Sequence, residues 1–533
     1  MFYYSFKTPP RVKFLLSWPF ALRVIIFCYF SVFIVWGLSR HWGNLNSLND
    51  IGVFDQAVWS VLNLGRLNNT IVYSAPINLL GFHFMPILYG FVPIYYITPA
   101  VHWFTIAQSV SVSLTAWPIY LLAQHITESE KSGFIWALAY LFNPFILNAA
   151  AWDFHPITLT LPFIAIGILS VALKRFKWLL FCCMIILLCK EHLGGMVAGF
   201  GVLWWLKHRE TMPAAGLLVL GICHSVLVLG FIMPSLSPTG EHIMFGADMG
   251  HLSRYVWLGQ TPQEIFWTLL THPLKVTEFV IITKGGWLYL ALLILPFVGL
   301  PLIGLEFLLP SMADLAANML STNPLQQSPF SYHSAAIIPF LTAAAIYGSQ
   351  RLHRKIKRYS LHALAGFCLV ISAYSGYFFS PFLSLPGSAS HWAPHKFLNF
   401  PDPRLKEITA QLPDDAPVSA QANIGAHFSQ RKEIFLYPNN IEKSQAIILN
   451  MQSPTTRVEA QNPGMVGALT HHLQMSPSKY LKSIEVLLLS GEWGISYWND
   501  PWLLLSRGGH STVPYNVVMD KIEILREEWR INR

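Results

Sequence analysis

Residues 48–66, LNDIGVFDQAVWSVLNLGR, place two carboxylates, Asp50 and Asp55, directly after the first long apolar run of the chain. A charge held in hydrocarbon costs several kcal/mol on most scales, so acids at the mouth of a membrane span are solvated, paired or used. Deciding among those three fixes both the fold class and the candidate chemistry.

Around this stretch, 53% of the 533 residues are hydrophobic and only 12% are charged. The mean hydropathy is +0.44, and the apolar residues lie in runs instead of amphipathic stripes. This is the composition of a polytopic α-helical membrane protein. Residues 1–380 carry 21 Lys+Arg against 13 Asp+Glu, whereas residues 381–533 carry 14 of each, so the net charge of +8 belongs to the first part. The basic surplus sits in short loops beside apolar runs, where the positive-inside rule accounts for it, and nucleic acid is not an expected partner. The six cysteines all fall in apolar stretches and form neither a disulfide framework nor a zinc spacing. Their absence from the tail points to a bacterial inner membrane. The basic N-terminus (Lys7, Arg11, Lys13) precedes an apolar run without a cleavage signature, which reads as a retained first span.

The clusters KRFK (174–177), KHRE (207–210) and RLHRKIKR (351–358) mark cytoplasmic loops, as does the N-terminus. Between the first two lie only 29 residues (178–206), too few for two full spans and too many for one. They are expected to form a hairpin of two short helices with Lys190, Glu191 and His192 at its outer tip. The segment 81–100, GFHFMPILYGFVPIYYITPA, holds Pro86, Pro93 and Pro99 and reads as a broken, re-entrant part of the first outer loop (about 40–102). Parity then gives about eleven spans, with 15 Lys+Arg inside and six outside: Arg40, Arg66, Lys190, Arg254, Lys275 and Lys284. Residues 1–380 form the transmembrane domain, and residues 381–533 a soluble extracytoplasmic α/β domain. In that tail APVSAQ, KEIFLYP, SQAIILN, WGISYW and PWLLLSR have strand character, while PRLKEITAQL and SPSKYLKSIEVLLL read as helices.

This topology brings Asp50, Asp55, His83, Asp153, His155, Lys190, Glu191 and His192 to one side. Carboxylates, imidazoles and an ammonium facing a shared cavity suit a general base, cation ligands and a phosphate anchor. The plainer reading of each alone is structural: Asp50 as a helix cap, Asp55 as a loop acid, Lys190 and Glu191 as a pair. Their joint placement favours a functional cavity.

DQAVWSVLNLG followed by HFMPILYGFVP resembles the first outer loop of the GT-C glycosyltransferases, where an Asp-Glu pair opens a juxtamembrane helix. DIGVFDQAVW, WDFHP, CKEHLGG, SYHSAAIIP, NIGAHFSQRKEIFLYP and WGISYW together resemble a bacterial family of multi-pass membrane proteins grouped with GT-C whose function is not established. The resemblance implies a glycosyltransferase using a polyprenyl-phosphate-linked sugar on the extracytoplasmic face, with a glycan, glycolipid or protein acceptor. Asp55 is then implied as the base of an inverting transfer, with Asp50 as the alternative. Lys190, Glu191, His192, His83, Gln56 and His333 are implied on the substrate and phosphate side, and Asp153 with His155 as holders of a divalent cation, Mg or Mn. Gln56 stands where the superfamily has Glu, and WDFHP is not a paired-acid motif. The competing expectations are a transporter or flippase of a polar or lipid-linked substrate, and a non-catalytic scaffold binding a lipid-linked sugar. A transporter would show internal repeats, and none is seen.

Overall fold

A computed structural model of the chain describes residues 17–73, 75–245, 252–379, 398–452, 469–470 and 472–531. The basic residues Lys7, Arg11 and Lys13 and the boundary near residue 380 lie outside the described residues. Helix α1 (Trp18–Trp42) starts on a cap in which the Ser17 hydroxyl accepts from the Phe20 N–H, and Arg40 and His41 sit in its last turn, where cations favour the helix dipole. A single π turn (Leu48–Gly52) leads into α2 (Val53–Leu64), which ends on Gly65 at φ +74° with its N–H bonded to the Val61 carbonyl.

The proline-bearing segment is broken as its sequence suggests, into the 3-10 turn Pro86–Phe91 and the short α3 (Val92–Ile97). It leads to α4 (His102–Thr127). Helices α5 (Glu130–Leu141) and α6 (Pro144–Ala151) follow with a 55° bend between them. After α7 (Leu161–Ala172) come α8 (Phe176–Leu187) and α9 (Gly194–His208), the two short helices expected between the basic clusters, joined through the 3-10 turn Glu191–Leu193. A Cβ on Gly194 would meet the Gly221 carbonyl of α10 (Thr211–Ser235), so glycine is what lets these two helices touch. The chain continues through α11 (Pro262–Thr271) and α12 (Pro273–Thr283), bent by 98°, then α13 (Gly286–Ile294), α14 (Met312–Leu320), α15 (Ile338–Lys355) and α16 (Leu361–Phe378).

Among the described residues four helices (α1, α4, α10, α16) are long and apolar enough to cross a membrane, or six if each bent pair counts as one crossing. The other apolar helices, such as the 12-residue α8, are shorter than the roughly 20 residues a straight crossing needs.

The C-terminal unit is built on a five-stranded sheet in the order β4-β3-β5-β7-β6; a small hairpin, β1 (Asn68–Asn69) with β2 (Ile77–Asn78), lies in the first loop. The strands are β3 (Val418–Ala420), β4 (Ile434–Leu436), β5 (Ala446–Asn450), β6 (Trp493–Asn499) and β7 (Trp502–Arg507). The first three pair in parallel, and β7 runs antiparallel to both β5 and β6. All five strand-like runs become strands, and the two expected helices become α17 (Arg404–Ala410) and α18 (Pro477–Leu489). A last helix, α19 (Tyr515–Glu528), was not anticipated.

Successive side chains of a strand point to opposite faces. Ile447, Leu449, Leu503 and Leu505 accordingly pack with Tyr480, Ile484 and Ile522 of α18 and α19. Ala446, Ile448, Trp502 and Leu504 pack the other way, in one cluster with Ile51 of the π turn and Phe54 and Val58 of α2. The sheet is buried on both sides, which is why its strands read as unbroken apolar runs.

Candidate functional site

The end of α1 fixes one edge of the site. Arg40 lies 3.1 Å from the Asp153 carboxylate and donates to the carbonyls of Ala151 (2.7 Å) and Leu45 (2.8 Å). Asp153 Oδ1 also accepts from Asn46 Nδ2 at 2.6 Å, and Oδ2 accepts from the Ser47 N–H at 2.7 Å. Burial pushes the Asp153 carboxyl up, and the Arg40 guanidinium opposes that shift. Both oxygens are therefore occupied in holding the turn that follows.

Asp50 projects from that turn. Its Oδ1 is 3.6 Å from His155 Nε2. The other ring nitrogen of His155, Nδ1, donates to the Asp153 carbonyl at 3.0 Å, a group that can only accept, and Nε2 is turned to Asp50. His155 stacks on Tyr332 with ring centroids 3.6 Å apart. Asp50 also borders a small recess of about 10 Å³ with Asn46, Trp152, Asn423 and His472, large enough for one water.

Tyr332 also lines a larger cavity, about 310 Å³, together with Lys190, Glu191, His192, His83, Arg254, Asp314, Asn318 and His333 and apolar side chains such as Leu229 and Met244. Glu191 Oε1 meets His83 Nδ1 at 3.0 Å, and Oε2 accepts from the Phe84 N–H at 3.2 Å, which ties the α8–α9 hairpin to the broken segment. His192 Nε2 is 3.3 Å from Asp314 Oδ1. Burial lowers Lys190, an effect its acidic neighbours Glu191, Asp314 and Asp50 oppose. Burial brings His333 down to about 3, with His155, Lys190 and Arg254 adding to the shift and Asp50 opposing it.

Asp55 lies elsewhere. It is 1% exposed on α2. Its Oδ1 accepts from Tyr95 Oη (2.7 Å) and Gln430 Nε2 (3.1 Å), and its Oδ2 from Ser429 Oγ (2.5 Å). Burial raises its carboxyl, against the pull of these three donors. Gln56 beside it donates to Thr70 Oγ1 at 2.8 Å and accepts from the Thr70 N–H at 3.0 Å, while Thr70 Oγ1 bonds the backbone of edge strand β4 at Ile434. The Asp-Gln pair thus joins α2 to the C-terminal unit.

Of the expected residues, the structure brings Lys190, Glu191, His192, His83 and His333 into one cavity, sets Asp50 and His155 beside it, and keeps Asp55 and Gln56 at the joint with the tail. The expectation that Asp153 and His155 hold a cation does not fit this geometry. Both Asp153 oxygens already accept hydrogen bonds, and among the described residues no three His, Cys, Asp or Glu side chains are grouped to hold a metal ion. Arg254 and Asp314 were missed as site residues. The signal for the first is a cation on the side that the positive-inside rule depletes; for the second it is a lone acid within an apolar run.

A family model described as "Predicted membrane protein (DUF2079)" matches residues 40–504. No curated protein matches the chain. Among solved structures, the chain is similar to the crystal structure of ArnT from Cupriavidus metallidurans bound to undecaprenyl phosphate, at 13% identity and a TM-score of 0.50, covering 91% of this chain and 98% of that one. It is also similar to the apo state of the same protein, at 11% identity and a TM-score of 0.46, covering 92% and 98%. The fold is GT-C-like.

Proposed function

Taking as premise that the chain belongs to the DUF2079 family of predicted membrane proteins, we propose that it is a glycosyltransferase that takes a sugar from a polyprenyl-phosphate-linked donor. The observation that carries this reading is the cavity of about 310 Å³ in which two cations, Lys190 and Arg254, stand one aromatic ring away from the Asp50–His155 pair. The likeness in fold to a protein crystallised with undecaprenyl phosphate supports the same ligand class.

In this reading Lys190 and Arg254 hold the lipid phosphate, and apolar residues such as Leu229 and Met244 line the way to the lipid. An acceptor hydroxyl attacks the anomeric carbon as the bond from that carbon to the phosphate oxygen breaks, and Asp50 takes the hydroxyl proton. The lipid phosphate leaves on the two cations, and the single displacement inverts the anomeric centre. His155 orients Asp50, Asp153 holds the turn that carries it, and the base moves from Asp55 to Asp50. No step passes through a metal. The site faces the extracytoplasmic side of a bacterial inner membrane, with the N-terminus in the cytoplasm, about eleven crossings within residues 1–380, and residues 381–533 as the outer domain.

The test incubates purified full-length protein with undecaprenyl-phosphate-linked pentoses and hexoses and follows release or transfer of the sugar. Turnover by wild type that is lost in Asp50→Asn and in Lys190→Ala is the expected result. Binding of the lipid without turnover, in wild type and variants alike, would mean a scaffold and overturn the enzymatic reading.

A further inference from the structure

Asp314 lies on α14 with Ala317 and Asn318, one helical face lining the main cavity. It is 7% exposed. One carboxylate oxygen faces His192, and the other, Oδ2, is buried and, among the described residues, has no hydrogen-bond partner. A buried carboxylate oxygen left unsatisfied costs more than almost any other polar atom, so its geometry calls for a donor brought from outside. That donor is not the phosphate, because a phosphate oxyanion is repelled by a carboxylate and has no proton to give it. Lys190 and Arg254 offer the phosphate its place in the same cavity, leaving Asp314 with the neutral, hydroxylated part of the ligand.

We infer that Asp314, with Asn318 and His192 beside it, is the sugar-recognition pole of the cavity and accepts a hydrogen bond from a hydroxyl of the transferred sugar. The inference rests on the cavity being the donor site. It divides the ligand in two: the charged end is held by cations, and the sugar is read by a carboxylate and an amide on α14 and an imidazole on the turn Glu191–Leu193.

The experiment measures binding of the full chain in lipid nanodiscs to three probes: undecaprenyl phosphate alone, the same lipid phosphate carrying a pentose, and the same carrying a hexose. Wild type is expected to bind at least one sugar-bearing probe more tightly than the bare lipid. Asp314→Asn and Asp314→Ala should each remove about tenfold or more of that preference, while binding of the bare lipid stays unchanged or tightens, which also reports that the variants are folded. Lys190→Ala should weaken all three probes together. A preference that survives in both Asp314 variants overturns the inference while leaving the donor site standing, as does a wild type that binds bare and glycosylated lipids alike. A wild type that binds none of the three removes the donor site itself, and the sugar pole with it.

Discussion

Asp55 Oδ2 and Ser429 Oγ stand 2.5 Å apart across 374 residues of chain, both buried, at the joint between α2 and the C-terminal unit. A carboxylate so placed organises two parts of a molecule. Replacing it with alanine leaves the donors of Tyr95, Ser429 and Gln430 facing an empty site, at about 1–3 kcal/mol for each buried group left unpaired. Asp55→Ala should therefore lower the midpoint of thermal unfolding and expose the tail to limited proteolysis, with Asp55→Asn milder on both counts. Because burial raises the carboxyl of Asp55, the folded state binds its proton more readily than the unfolded state. The stability this group contributes is full below its ordinary value of 3.8 and is lost as the pH rises through the folded value. The Asp55→Asn variant should lack that slope in a pH series of melting curves.

Asp50 should behave in the opposite way. Asp50→Asn is expected to reduce sugar transfer by about 10²–10⁴-fold with little change in the melting midpoint. His155→Gln should reduce transfer less. Loss of transfer in Asp55→Asn with full transfer in Asp50→Asn, measured at matched folding, would return the base to Asp55.

A second pH effect comes from His427, whose ring lies 4.1 Å from that of His41 and whose Nε2 meets Asn44 Oδ1 at 3.0 Å. Burial, with His102 nearby, brings His427 from 6.5 to about 4, although its contacts with His41 and Asp402 oppose the shift. The unfolded chain then binds more protons than the folded one between these values, so stability is full above 6.5 and falls as the pH drops towards 4. Proteolysis of the tail should accelerate over that interval in wild type, and less so in His427→Gln.

Lys190→Ala and Arg254→Ala should each weaken binding of undecaprenyl phosphate by about tenfold or more, as expected for a charge-assisted contact to phosphate. Titration of the lipid into nanodisc-embedded protein, followed by intrinsic tryptophan fluorescence, measures both.

The architecture was legible where residue spacing constrains geometry. Twenty-nine residues between two basic clusters allow only a short hairpin, and Lys190, Glu191 and His192 lie at its turn. Runs such as AIILN and WLLLSR marked strands. The relation between Asp50 and Asp55 needed one more step. On a helix at about 100° per residue, positions five apart point roughly 140° away from each other, so two such acids do not serve one cavity. The π turn at Leu48–Gly52 sets which of them faces Tyr332 and His155, and no residue pattern announces that turn. Arg254 and Asp314 lie far from the loops that carry the family resemblance, and only the folded chain brings them beside Lys190.

The two-faced sheet of the tail has a practical consequence. Val418, Ile434, Ile448 and Leu504 lie apart from α18 and α19, in one cluster with Ile51, Phe54 and Val58 of the first loop and with Ile408 of α17. Cut away from the membrane part, residues 398–531 would present that apolar face to water and self-associate. The tail is not a portable module, and a truncated fragment of it is a poor proxy for the same residues in the full chain.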